Sequence, residues 1–183
     1  MNRVTEYPSE DECFNIIRQY DMLPNIVDHS VQVKNVSLAI YDHLQKKELI
    51  SRELLIAAAL LHDIAKTRSI HNREMRHDLI GGEMLRAMGL NEIAEIVENH
   101  VVFTGFLPDG PLTEKEIIYY ADKRVMHDKV VNVHTRVEDL VERYGINDRV
   151  KELIIRNKEF VLDLEAKIIR NMTTDMETAL KGL

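Results

Sequence analysis

The segment Leu54–Leu61 reads LLIAAALL and runs directly into His62 and Asp63. Ser51 stands where it can cap a helix through that run, and a helix apolar nearly all round is a buried one. It is far too short to span a bilayer. An imidazole and a carboxylate that leave its end together are held rigidly against a core, as a buried metal centre requires. The chain has 183 residues, 45% hydrophobic and 30% charged, enough for one sizeable domain with a proper core.

Helical periodicity continues almost throughout, with no convincing strand pattern, repeat or low-complexity stretch. Ser9 to Glu12 forms a capping box for a first helix that turns Cys13, Ile16, Ile17 and Tyr20 inward. Pro24 breaks the chain. A second helix runs from about Ile26 to Lys47, with Val33, Val36, Ile40 and Leu44 on one face. Thr67 to Arg76 is polar and reads as a loop. A fourth helix begins near His77 and stops at Gly89, and Asn91 caps a fifth that ends near His100. Gly105 to Pro111 is a loop, and Thr113 to Glu116 is a second capping box, opening the helix that carries Asp122. Another helix stops at Gly145. Asn147 caps a long last one, with a break expected near Asn171 to Thr174. The expected fold is all-α: a compact helical bundle over residues 26–145, preceded by an N-terminal helix in 1–25 and followed by a helical extension in 146–183.

His29, His62, Asp63, His77, His100 and Asp122 each fall at a helix end or on a core-bearing face. Ionisable groups in such places are costly unless paired or metal-bound. Mixed imidazole and carboxylate donors suit Fe, Mn, Co, Ni or Zn rather than calcium. Basic residues lie close by in sequence: Lys66, Arg68, Arg73 and Arg76 between Asp63 and His77, and Lys123 and Arg124 after Asp122. Such cations suit a phosphate. His127-Asp128 repeats the dipeptide without a comparable apolar run before it, and Gly81-Gly82 suits close helix packing better than a phosphate cradle.

This order resembles the HD-domain (HDIG-type) metal-dependent phosphohydrolases, whose pattern is H…HD…D, extended in a two-metal subset to H…HD…H…H…D. LLHDIAK resembles their HDIGK signature, with Ala65 where glycine is common. HDLIGGEML, VENH and YYADKRV resemble the later ligand segments. The resemblance covers roughly Ile26 to Tyr144 and implies an HD-domain helical bundle. It implies one metal held by His29, His62, Asp63 and Asp122, and a second by His77 and His100, with Asp63 bridging. Some two-metal members carry a further histidine beside the fifth ligand, where this chain has Val101. Lys66 stands where the superfamily uses a lysine near the substrate phosphate, so Asp63 and Lys66 are the expected catalytic pair. Arg68, Arg73, Arg76, Lys123 and Arg124 join Lys66 as expected substrate contacts.

The implied activity is hydrolysis of a nucleotide, a dinucleoside polyphosphate or another small phosphate ester or anhydride by metal-bound hydroxide. The alternatives are a di-iron oxygenase of the same fold and a non-catalytic nucleotide-binding sensor. A net charge of −7 argues against a broad nucleic-acid face, so no nucleic acid and no membrane are expected as partners. A lone Cys13 allows no intrachain disulfide and no thiolate site, which favours a cytoplasmic setting. No apolar leader follows Met1. The stripe Val150, Leu153, Ile154, Val161, Leu164 and Ile168 could pair two copies into a homodimer.

Overall fold

The computed structural model describes residues 7–183, so the segment next to Met1 read above for a leader begins outside the described residues. Helix α1 (Glu10–Gln19) opens on the Ser9 capping box, with the Glu12 carboxylate accepting from the Ser9 amide at 2.8 Å. Helix α2 (Pro24–Asp42) begins at the proline expected to break the chain. Proline suits the first helical turn because its missing N–H would have no partner there. A single 3₁₀ turn (Lys47–Leu49) leads to α3 (Arg52–Leu61), where Ser51 accepts from the Leu54 amide at 3.2 Å.

Helix α3 is the spine. Leu55, Ala57, Ala58, Ala59, Leu60 and Leu61 are wholly buried, and α1, α2, α6 and α7 pack around it. The expected loop after it contains a short helix, α4 (Lys66–Asn72). Its inward positions are Thr67 and Ser69, hydroxyl residues that a hydropathy pattern does not register. Thr67 Oγ1 accepts from the Leu23 amide at 3.0 Å and ties α4 to the start of α2.

Helices α5 (His77–Ala87) and α6 (Asn91–Glu98) form a tight hairpin through Gly89, whose φ of 81° closes α5. A Cβ on Gly81 would lie 3.1 Å from Val97 Cγ1 and 3.3 Å from Ile64 Cγ2, so glycine there serves close packing. Helix α7 (Glu114–Asp122) follows the Thr113 capping box. Two strands of two residues each, β1 (Val125–Met126) and β2 (Lys129–Val130), then pair antiparallel about His127-Asp128. No alternation was legible there because each strand is shorter than the pattern that reveals one.

Helix α8 (Val133–Tyr144) packs on α9 (Asp148–Arg170), and α10 (Met176–Ala179) follows the expected break. Val161, Leu164, Ile168, Met172 and Met176 join the same core as α3, whereas Leu153, at the outer end of α9, is exposed. The inner part of the stripe read as a pairing face is therefore covered by its own chain. Gln45 Nε2 donates to the Met172 carbonyl at 2.7 Å and the Thr173 amide to the His43 carbonyl at 2.8 Å, fastening the extension to the end of α2. The architecture is all-α apart from the small hairpin. Among the described residues, no helix is long and apolar enough to cross a membrane.

Candidate metal centre

Five helices bring six side chains to one place. His29 sits in the second turn of α2, His62 and Asp63 leave α3, His77 opens α5, His100 follows α6, and Asp122 ends α7. Their donor atoms form two adjoining groups. In one, His29 Nε2 lies 2.9 Å and His62 Nε2 3.8 Å from Asp122 Oδ1, with His62 Nε2 also 3.5 Å from Asp63 Oδ2. In the other, His77 Nε2 lies 3.1 Å and His100 Nε2 3.4 Å from Asp63 Oδ1. His29, His62 and Asp63 are close enough to share one ion, and so are Asp63, His77 and His100.

The ring protons are assignable from the partners. His62 Nδ1 faces the Ala59 carbonyl at 2.7 Å, His100 Nδ1 the Val97 carbonyl at 2.6 Å, and His29 Nδ1 the His127 carbonyl at 2.9 Å. A carbonyl only accepts, so each Nδ1 donates, and a ring whose one proton sits there would present Nε2 as a lone pair to a cation in the cluster. Lone pairs then face carboxylate oxygens, and His77 Nε2 lies 3.1 Å from His100 Nε2. His62 Nε2 and Asp63 Oδ1 are buried without a hydrogen bond of acceptable geometry. A cation between these atoms would satisfy all of them, so the donor set fits a metal by its chemistry as well as its spacing.

Electrostatics maintain the donors in ligand form. Burial pushes His62 down to about 4, against the opposing pull of Asp63, so the ring is neutral at neutral pH. Burial works against ionising Asp63, but Lys66 and His62 outweigh it and hold the carboxyl well below the usual range. Asp122 is depressed likewise, burial being outweighed by Lys123 and His29. Lys66 Nζ lies 2.8 Å from Asp63 Oδ2, and Lys123 Nζ lies 2.5 Å from Asp122 Oδ2 and 3.0 Å from the His100 carbonyl. Asp122 thus meets its lysine on Oδ2 and imidazoles on Oδ1, whereas Asp63 offers Oδ1 to His77 and His100 and Oδ2 to Lys66, with His62 farther off at 3.5 Å.

Of the basic residues expected to contact substrate, only Lys66 and Lys123 reach the cluster with their charged ends. Arg68 pairs with Glu74 at 3.0 and 3.1 Å. Arg73 is exposed in a left-handed conformation at the end of α4. Arg76 grips the buried Asp78 through two nitrogens, at 2.9 and 2.7 Å. Arg124 is 2% exposed and bonded to Tyr120, Val131 and Glu177. Nearness in sequence suggested these arginines, but local carboxylates and carbonyls engage Arg68, Arg76 and Arg124. Sequence reasoning also missed the His127 carbonyl behind His29. It had no residue-type signal to follow, because every residue has a carbonyl.

The HD domain family model matches residues 26–127, and the chain belongs to that family. The curated relatives it resembles include a tRNA (cytidine(56)-2'-O)-methyltransferase of Thermoplasma volcanium, 29% identical over 164 residues that cover 82% of this chain and 46% of the relative. The protein of the same name from Picrophilus torridus is 26% identical over 164 residues, covering 80% and 45%. This chain therefore spans about half the length of those relatives. No solved structure matches it. The relatives are named for methyl transfer to tRNA, which overturns two expectations. The small-phosphate hydrolase reading rested on a fold that hosts many chemistries. The exclusion of nucleic acid rested on a net charge that averages over the whole surface and does not register the charge of any one patch.

Proposed function

We propose that this chain is a metal-loaded HD module serving RNA methylation, and that its metal centre and adjoining lysines engage the phosphate backbone of tRNA. The observation that carries this is the similarity, over most of the chain, to two proteins named as tRNA 2'-O-methyltransferases. The site chemistry is consistent with it. His29, His62, Asp63 and Asp122 would hold one divalent transition-metal ion, and His77 and His100 a second, with Asp63 between them. Bound ions supply concentrated positive charge and Lewis acidity to anionic oxygens. Lys66, kept charged by Asp63 against the effect of burial, adds a cation at the rim, and Lys123 adds another. An RNA phosphodiester matches that charge, and the acidic remainder of the chain discourages binding elsewhere.

Titration of a tRNA transcript with the full chain, loaded with manganese or stripped by chelator, tests the reading. The loaded protein is expected to bind, with affinity falling as salt rises. Lys66→Ala and Lys123→Ala should each weaken binding and shallow the salt slope by about one unit. Methyl incorporation into the ribose of cytidine 56 should rise when this protein supplements a methylating extract. Metal-loaded protein that neither binds tRNA nor alters its methylation would overturn the proposal.

A further inference from the structure

We infer that the β1–β2 hairpin is a positioning device for the His29 ring, locked by Arg124 to the C-terminal helices. The inference rests on the reading of the histidine–aspartate cluster as a metal centre. It concerns residues outside the six donors.

His29 Nδ1 donates to the backbone carbonyl of His127 at 2.9 Å. That contact fixes both which nitrogen bears the proton and where the ring plane points, because Nε2 must then face Asp122 and His62. The carbonyl is available because of an unusual backbone. His127 has a φ of 57°, a left-handed conformation that L residues adopt at a cost and that glycine adopts freely. Residues 127–128 form the two-residue turn between Met126 and Lys129, where positive φ suits the twist of the hairpin. The hairpin itself is too short to be stable alone.

Arg124 supplies the missing support. Its Nε donates to the Val131 carbonyl at 2.6 Å, and its backbone carbonyl accepts from the Val131 amide at 2.8 Å, closing the base of the hairpin. One terminal nitrogen donates to Tyr120 Oη at 2.7 Å and lies 3.6 Å from Glu165 Oε2; the other donates to Glu177 Oε1 at 2.8 Å. Tyr120 also bonds Glu165 directly. Glu165 lies on α9 and Glu177 on α10, both beyond residue 127, where the family match ends. The extension thus supports the metal centre through one buried guanidinium, a turn and a single carbonyl. Arg124 and His127 are positioning residues, and neither touches the place where an ion would sit.

Metal titration of chelator-stripped full chain by calorimetry, with the visible spectrum of the cobalt(II) form, tests this. His127→Gly keeps the left-handed turn and is expected to retain wild-type affinity and spectrum. His127→Val disfavours it and should weaken one ion by about 10- to 100-fold, the range lost when a ligand's outer partner is removed, with a shifted cobalt spectrum. Arg124→Gln leaves the hairpin sequence intact and should show the same loss; wild-type affinity in that variant removes the locking role. Equal affinities in the glycine and valine variants, whether both high or both low, overturn the inference. A wild-type chain that takes up no metal overturns the reading of the cluster, and this inference with it.

Discussion

At the scale of single residues, the gathering of the six side chains was legible because each histidine or aspartate stands at a helix end or on a core-bearing face. A core-adjacent ionisable group needs a partner, whatever the partner proves to be. What was not legible is which nearby charges reach them. Arg76 meets Asp78 two positions on, and Arg124 leaves α7 on a different side from Asp122. The residue with the clearest titration is His62. Its unfolded value is 6.5, and burial lowers it in the fold to about 4. Between those values the unfolded chain binds a proton that the folded, metal-free chain refuses. The stability contributed by the neutral ring is therefore complete above pH 6.5 and is lost as pH falls toward 4. A shift of that size is worth on the order of 3 kcal/mol. Melting temperatures of stripped protein should decline from about pH 6.5 downward. In His62→Gln the decline should be shallower above pH 5; an unchanged profile in that variant would assign the acid sensitivity to other groups.

At the scale of elements, caps and breakers outline most helices, and the two capping boxes at Ser9 and Thr113 form as read. The elements that escaped are those held by polar contacts. Helix α4 leans on Thr67, and the hairpin on Arg124. The loop before α7 is held the same way. Lys167 on α9 is buried, with Nζ donating to the carbonyls of Leu107 and Pro111 at 2.9 and 3.0 Å and to Glu116 Oε1 at 2.7 Å. The ion pair need not add net stability, because both charges lose water. Removing one partner is another matter. Lys167→Met strips the buried Glu116 carboxylate of its cation and the loop carbonyls of this donor, and should cost about 3–5 kcal/mol. Adding Glu116→Gln removes the stranded charge while keeping an acceptor for the Thr113 cap, and should recover much of the loss. Urea unfolding of both variants gives the comparison. A double variant no more stable than the single one would mean that the carbonyls, rather than the charge, carry the effect.

At the scale of the whole molecule, fold and family were legible where partner and reaction were not. The histidine–aspartate order follows the scaffold, and one scaffold serves many reactions. A charge of −7 is likewise a sum over a surface on which binding occupies one patch. The six side chains come from α2, α5, α7 and the ends of α3 and α6, so ions held among them would tie five helices together at one point. An ion that binds the folded chain alone stabilises it by about 2.7 kcal/mol at a hundredfold excess over its dissociation constant. For a domain of this size that is a melting shift of about 5–10 °C per ion. Asp63 belongs to both donor groups, whereas His77 belongs to one. The metal-dependent shift should therefore be largest in wild type, intermediate in His77→Ala and absent in Asp63→Asn, each measured against its own stripped form. Scanning calorimetry of the three proteins with and without manganese reads this order directly. An Asp63→Asn chain that gains as much from manganese as wild type would locate the ions outside the cluster, because both donor groups share the Asp63 carboxylate.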